Sequence, residues 1–275
     1  MNTTYETIVN GKQIPKIGFG TWKIGGGSHA DPKLDSVSLA ALRTALEVGY
    51  THFDTAEVYA DGHAEELIGQ AIHETGVKRD SLFITTKVDP AHLKYEQVLR
   101  ACQGSLQRLS MDYVDLYLIH WPRAGMKFEE TFRALNKLVR DGQVKYLGVS
   151  NFNVKLLKQS GEHSETPILT NQVPYSIFDR SYVKNGALEY CQQNDILLTA
   201  YSPVEQGRLK PNQTLRSIAE AHSATSYQIA LAWLGSQPRV VTIPMSFDPQ
   251  HIKENLESVN IVLTAKEIKS LNELA

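Results

Sequence analysis

The sequence predicts an α/β fold, a (β/α)8 barrel with an N-terminal β-hairpin covering the barrel bottom. Three observations predict it. Eight short apolar runs, near residues 17–21, 51–54, 82–87, 113–120, 144–149, 168–172, 196–201 and 239–243, read as strands, with helical patterns alternating between them. Most of these runs are continuously apolar instead of alternating, as parallel strands buried on both faces are. Asp54, Lys87 and His120 each end such a run, and the two steps between them are both 33 residues. That is about one strand–helix unit of a barrel of roughly 250 residues, so the three would point into one mouth.

In chain order, Asn10-Gly11 lies between short extended runs in residues 5–15 and signals a two-residue hairpin. The repeat starts at Ile17-Gly18-Phe19-Gly20-Thr21-Trp22. A glycine-rich loop, Gly25-Gly26-Gly27, follows, and no periodicity returns until residue 38. Leu39, Leu42, Ala45 and Leu46 mark the apolar face of one helix, and another helix starts near Ala64. Val98, Cys102, Leu106 and Leu109 mark a further face, and Phe128, Phe132, Leu135, Leu138 and Val139 one more. Gly49, Gly142 and Asn194 stand where helices should stop. Thr264-Ala265-Lys266-Glu267 carries the signature of a capped helix start. No linker or shift of composition divides the chain, so residues 1–275 read as one domain. The alternative architecture is a doubly wound dinucleotide-binding sheet, which should show G-x-G-x-x-G after its first strand. Here Gly18-Phe19-Gly20 continues as Thr21-Trp22-Lys23, and the fingerprint fails.

The length allows a sizeable core. A formal charge of −2 with 21% charged residues argues against a nucleic-acid surface or an anionic-membrane surface. The first twenty residues hold no apolar run with a basic flank, and no apolar stretch nears the ~20 residues of a membrane span, so a cytoplasmic protein is expected. Cys102 and Cys191 lie far apart, without metal spacing or a disulfide framework. They read as free thiols in a reducing compartment, and no metal is expected. The oligomeric state is not legible from the chain.

Tyr59 sits in the loop just beyond Asp54. A phenol of ordinary pKa near 10 is a poor acid–base group at neutral pH, and a nearby ammonium should lower it. A buried lysine keeps its charge only beside a carboxylate. Tyr59, Lys87 and Asp54 therefore suit a proton relay, and His120 suits a hydrogen bond to a carbonyl oxygen. The set fits carbonyl reduction, with hydride going to carbon and the Tyr59 proton to oxygen. Singly, each has an ordinary explanation. Asp54 could cap a helix or pair with an arginine, Tyr59 could be a half-buried loop residue, Lys87 a solvated strand end and His120 a core histidine.

Longer motifs surround these residues. Gly49-Tyr50-Thr51-His52-Phe53-Asp54-Thr55-Ala56, then Tyr59, then Glu65-x-x-Ile68-Gly69, resembles the first signature of the aldo-keto reductase family. About three extra residues fall in Ala60-Asp61-Gly62-His63-Ala64, after the tyrosine. Leu116-Tyr117-Leu118-Ile119-His120-Trp121-Pro122 and Gly148-Val149-Ser150-Asn151-Phe152 resemble two further family motifs. The resemblance covers nearly the whole chain and implies a barrel with an N-terminal hairpin. It implies that Tyr59 is the general acid, that Lys87 and Asp54 tune it and that His120 orients the carbonyl. It also implies a nicotinamide cofactor across the mouth, NADP by family, bordered by Thr21, Trp22 and Asp54. Ser150, Asn151 and Gln172 would hold the carboxamide, which needs both donors and acceptors. Asn151 could instead cap the next helix. Tyr201 would stack on the nicotinamide, and the loop from Ser202 through Pro203 and Val204 to Gly207 would cover the pyrophosphate. Trp22 and Trp121 match the aromatic walls of the substrate pocket, with Tyr59 and His120 at its base; plain core packing is the alternative for the two tryptophans.

The adenosine end departs from the family. Ile243-Pro244-Met245-Ser246 stands where the family usually has Ile-Pro-Lys-Ser, and His251 replaces an arginine ahead of the retained Glu254-Asn255. Those cations grip the 2′-phosphate of NADPH, so NAD is a serious alternative cofactor unless Lys253 or another base compensates. Asp89 falls where many relatives carry an aromatic residue, the loop after Trp121 is short, and the chain ends at Ala275 directly after a helix. A short rim implies an open site and loose specificity for aldehydes, with ketones and α-dicarbonyls as further candidates. Two other functions compete. A Schiff-base or metal-dependent lyase could use Lys87, and a cofactor-sensing subunit could keep the fold without turnover.

Overall fold

The computed structural model describes residues 4–274, so the outermost residues of the 1–275 span lie outside it. Strands β1 (Tyr5–Thr7) and β2 (Gln13–Pro15) form the antiparallel hairpin, with Thr7 opposite Gln13. Its turn holds three residues, one more than the expected two. The Ile8 N–H donates to the Lys12 carbonyl at 2.7 Å and brackets Val9, Asn10 and Gly11. Asn10 and Gly11 take φ of +65° and +73°, the left-handed region these two residue types tolerate. Ile8 is drawn into the closing pair because it is buried. With Ile14 it packs on Phe83, Leu116, Leu118 and Leu169, the apolar floor of the barrel.

Eight parallel strands follow in sequence order: β3 (Phe19–Gly20), β4 (His52–Asp54), β5 (Phe83–Val88), β6 (Val114–Ile119), β7 (Val144–Ser150), β8 (Ile168–Pro174), β9 (Leu197–Tyr201) and β10 (Val240–Thr242). A parallel bridge between Ile17 and Thr242 closes the ring. Every residue of β5 and β6 is buried, as in parallel strands covered on both faces, and the polar ones among them, Thr85, Thr86, Lys87 and Asp115, are buried too. Outside lie α1 (Asp35–Val48), α2 (His63–Thr75), α3 (Tyr95–Leu109), α4 (Phe128–Arg140), α5 (Val154–His163), α6 (Ser181–Lys184), α7 (Ala187–Gln193), α8 (Gln213–Ala221), α9 (Ser226–Gly235), α10 (Pro249–Glu257) and α11 (Ala265–Asn272). The stop and start signals act where they stand in the sequence. Gly49 ends α1 at φ +104°, and Thr264 with Glu267 forms a full capping box on α11.

The hairpin is fixed to the bottom by charge. Asp115 of β6 is fully buried and accepts from Arg79 Nη2 at 2.7 Å, Lys12 Nζ at 3.1 Å and the Ile84 N–H at 3.1 Å, with Lys145 Nζ at 3.4 Å. Burial pushes the carboxyl up, but Arg79, the Ile84 N–H and Lys12 together hold it below its usual range. Asp115→Ala should cost about 2–3 kcal/mol, below the 3–5 typical of a fully buried orphaned charge because the cations reach water. A group depressed in the folded state contributes above its unfolded pKa of about 4 and loses that contribution as pH falls through the lower folded value. Urea midpoints of wild type and variant should therefore lie far apart at pH 6 and converge toward pH 2; an equal gap at both would contradict this role.

Candidate active site

The opposite, C-terminal ends of the strands surround a cavity of about 940 Å³. Parallel register brings Asp54 (β4), Lys87 (β5), Ser150 (β7), Gln172 (β8) and Tyr201 (β9) to one rim, with His120 directly after β6. Every residue named from the sequence for catalysis, cofactor or substrate lines this cavity except Lys87, which lies beneath its floor.

Lys87 is fully buried and donates to Asp54 Oδ1 at 2.5 Å, the Thr55 carbonyl at 2.7 Å and Tyr59 OH at 3.2 Å. An ammonium has three hydrogens and no lone pair, so all three are used. The Tyr59 oxygen is the acceptor in its bond, and its own hydrogen is left to point elsewhere. The second oxygen of Asp54 accepts from Gln172 Nε2 at 2.6 Å, and Thr21 Oγ1 donates to the Asp54 carbonyl at 2.9 Å. The Tyr59 ring is set edge-to-face between Trp22, at 5.1 Å, and His120, at 5.6 Å.

Burial works to discharge Lys87, but Asp54 and Tyr59 more than offset it and the ammonium is held above its usual range. The Tyr59 phenol moves opposite to the sequence expectation. Burial raises it further than Lys87 lowers it, and the Asp54 charge adds to the rise. The physical reason is burial of the ring, since a phenolate out of water costs more than the Lys87 ammonium returns. His120 is pulled down to about 3, by burial first and by Lys87 second, and its Nδ1 is buried without a protein partner.

Beside the tetrad, Asn151 Nδ2 donates to Ser150 Oγ at 2.9 Å and to the His120 carbonyl at 3.2 Å, while Asn151 Oδ1 accepts from Tyr201 OH at 3.0 Å. Ser150 Oγ donates to the Gln172 carbonyl at 2.8 Å. Asn151 is not a helix cap; that position belongs to Asn153, whose side chain accepts from the Leu156 N–H. With its NH2 turned to Asp54, Gln172 keeps Oε1 as an acceptor. An acceptor set among hydroxyl and amide groups at the cavity wall fits a carboxamide, which brings two donors and a carbonyl. Asn151, Ser202, Glu205 and Gln206 all have positive φ (+65°, +50°, +51° and +57°) along this edge, as residues at ligand clamps often do.

From there the cavity runs past Ser202, Pro203, Val204 and Gly207 to Pro244, Met245, Ser246, His251, Glu254 and Asn255. Lys23 is the one lysine or arginine among the lining residues. Lys253, the base that would stand in for Met245 and His251, is set apart from this space. It does not line the cavity, and its Nζ lies 3.7 Å from Glu257. The start of α10 is already occupied by Asp248, which accepts the Gln250 and His251 N–H groups at 2.8 and 3.1 Å. Trp22 and Trp121 are 41% and 47% exposed and stand on the wall, so core packing does not explain them. Thr225 and Tyr227 also line the cavity, and Tyr227 OH donates to the Gly207 carbonyl at 2.9 Å. The helix-start pattern Thr225-x-x-Gln228 marks their place in the sequence but not what they face. Among the described residues no group of three His, Cys, Asp or Glu side chains could hold a metal, and no helix is long and apolar enough to cross a membrane.

Residues 16–275 match the family model described as "Aldo/keto reductase family". The chain is 37% identical to the glyoxal reductase of Bacillus subtilis over 265 residues, covering 96% of this chain and 90% of that protein. It is 36% identical to the methylglyoxal reductase YeaE of Escherichia coli, covering 94% and 90%. Among solved structures it is similar to a thermostable aldo-keto reductase in complex with epalrestat, with a TM-score of 0.95, 45% identity and coverage of 99% and 100%. An aldo-keto reductase from Klebsiella pneumoniae in complex with NADPH gives a TM-score of 0.88 at 36% identity, with coverage of 100% and 95%.

The His120 ring should stay neutral from pH 5 to 8. In the folded chain its proton is refused down to about 3, whereas the unfolded chain takes it near 6.5. Its NMR ring resonances should not titrate between pH 5 and 8, and stability should fall as pH drops below about 6.5 because only the unfolded state gains the proton. A midpoint near 6.5 in the folded protein would show a charged imidazole.

Proposed function

The chain belongs to the aldo/keto reductase family, and from that premise we propose that it reduces small aldehydes and α-dicarbonyls, ketones included, with Tyr59 as the proton donor. The observation that carries this is the set of three bonds from Lys87, which leaves the Tyr59 hydrogen uncommitted to the relay. A phenol held high keeps its proton until a stronger acceptor forms, and the oxygen of a carbonyl under reduction is such an acceptor. As the proton leaves, the phenolate stays against the Lys87 ammonium, which Asp54 keeps charged. His120, neutral, donates to the carbonyl oxygen and orients it. Trp22 and Trp121 wall the substrate, and their exposure supports an open rim.

The cofactor is NADPH, which supplies the hydride to the carbonyl carbon when bound. Gln172 Oε1, Ser150 and Asn151 would hold its carboxamide, Tyr201 would stack on the ring, Ser202 to Gly207 would cover the pyrophosphate, and Pro244, Met245, Ser246, His251, Glu254 and Asn255 would take the adenosine. The small-carbonyl reading is supported by relatives named for glyoxal and methylglyoxal. A Schiff-base lyase is disfavoured, because the Lys87 nitrogen is charged and has no lone pair free to attack. In this reading residues 1–275 act as one cytoplasmic domain, in keeping with two buried free thiols.

Tyr59→Phe removes the proton donor and little volume. It should lower kcat by about 10²–10⁴-fold, the range of an acid–base group, while the NADPH Kd from fluorescence quenching stays unchanged. A variant keeping more than about a tenth of wild-type kcat would remove Tyr59 from this role.

Preference for NADPH over NADH should be weak for the family, because Met245 and His251 offer no permanent charge to a 2′-phosphate. Met245→Lys with His251→Arg adds two charge-assisted contacts of about 1.5–3 kcal/mol each before screening at this surface-facing end. NADPH affinity should rise by tenfold or more, on the order expected after screening, while NADH affinity barely moves and the gain shrinks in high salt. A wild type that already favours NADPH about a thousandfold would show that other groups hold the phosphate.

A further inference from the structure

Two stretches of the sequence have no part in the reaction as described, the glycine-rich loop and the extra residues after Tyr59. They meet each other. The Ala60 N–H donates to the Gly27 carbonyl at 2.6 Å. Behind Tyr59 the chain takes three left-handed steps in a row, with φ of +51° at Ala60, +56° at Asp61 and +92° at Gly62. Such a run persists only where its surroundings over-determine it.

The second clamp is a guanidinium. Arg108 of α3 lies directly on Gly62, where a Cβ would stand 2.6 Å from its Nε and 2.7 Å from its Cδ. The same Nε donates to Glu65 Oε2 at 2.7 Å, and Nη2 donates to Ser105 Oγ at 3.3 Å. Glu65 is fully buried, and its other oxygen accepts from Thr86 Oγ1 at 2.5 Å. Thr86 precedes Lys87 on β5. Hydrogen bonds thus run from the strand that carries the ammonium to Arg108, which packs on the loop that carries the phenol. The Lys87–Tyr59 bond between strand and loop is, at 3.2 Å, the longest of the three that Lys87 makes and the first to be lost if the loop moves.

We propose that Arg108, held by Glu65 over Gly62, is a positioning residue that sets Tyr59 within reach of Lys87. The inference rests on Tyr59 being the proton donor. Arg108→Met keeps the stem and loses the fork; Arg108→Lys keeps the charge. Arg108→Met should lower kcat by about tenfold or more, as small misplacements of a reacting group do, with the NADPH Kd unchanged. The alkaline limb of the kcat–pH profile should move up, since a phenol further from the ammonium holds its proton longer. Arg108→Lys should recover part of both effects. In a Tyr59→Phe background, Arg108→Met should add no further loss.

Arg108→Met with a lower melting temperature but wild-type kcat and an unmoved alkaline limb would overturn the proposal and leave Arg108 a structural residue. If Arg108→Met does not fold, Arg108→Lys is read by the same two measurements, and wild-type values there overturn it equally. A Tyr59→Phe enzyme with near-wild-type turnover would instead remove the premise, and an inactive Tyr59→Phe beside an unaltered Arg108→Met would remove the positioning role alone.

Discussion

A lysine with no exposed surface has to be charged among neighbours that permit it, and the mouth of this barrel is arranged around that requirement. Asp54 meets it at 2.5 Å, and Asp54 in turn needs Gln172 on its second oxygen and Thr21 on its carbonyl. Those bonds decide which way the Gln172 amide faces and leave its oxygen toward the cavity. They also decide that Tyr59 accepts from Lys87 instead of donating to it. The groups proposed to hold the cofactor and the group proposed to give the proton are therefore consequences of one buried ion pair.

The bottom of the barrel shows the reverse arrangement. There a fully buried carboxylate, Asp115, draws in three cations that keep contact with water. The charge at the bottom fastens the hairpin, whereas the charge at the mouth has the 940 Å³ space above it. This division follows from the parallel strands, whose C-terminal ends can carry chemistry while their N-terminal ends hold the fold together.

The backbone of this arrangement was legible in the sequence because it rests on local rules. Apolar runs, most of them continuous, marked the eight strands, Gly49 and Thr264 marked helix ends, and the 33-residue spacing brought Asp54, Lys87 and His120 to one end. What escaped depends on contacts between distant segments. The hairpin gained a third turn residue because Ile8 is buried on the barrel floor. The Tyr59 phenol rises because its burial outweighs the ammonium meant to lower it, with the Asp54 charge adding to the rise. Tyr227 reaches the Gly207 carbonyl across a loop. No periodicity encodes such meetings; each is settled by which helix happens to flank which strand.

The ring is closed at a thin seam. β3 has two residues, and Ile17 meets Thr242 through a single bridge, extended by the bonds Gly18 to Thr242, Thr242 to Lys16 and Gly20 to Pro244. These join the two ends of the repeating chain, the contact with the longest loop to close and so the most entropic cost to meet in folding. Gly20 and Pro244 both border the cavity beside Met245. A partly assembled barrel therefore has the Lys87–Asp54 pair within neighbouring units but lacks the wall at this end. Any ligand lying along Pro244 and Ser246 binds only the closed ring, and by mass action it holds shut a joint that the chain itself secures through a single bridge and three backbone bonds.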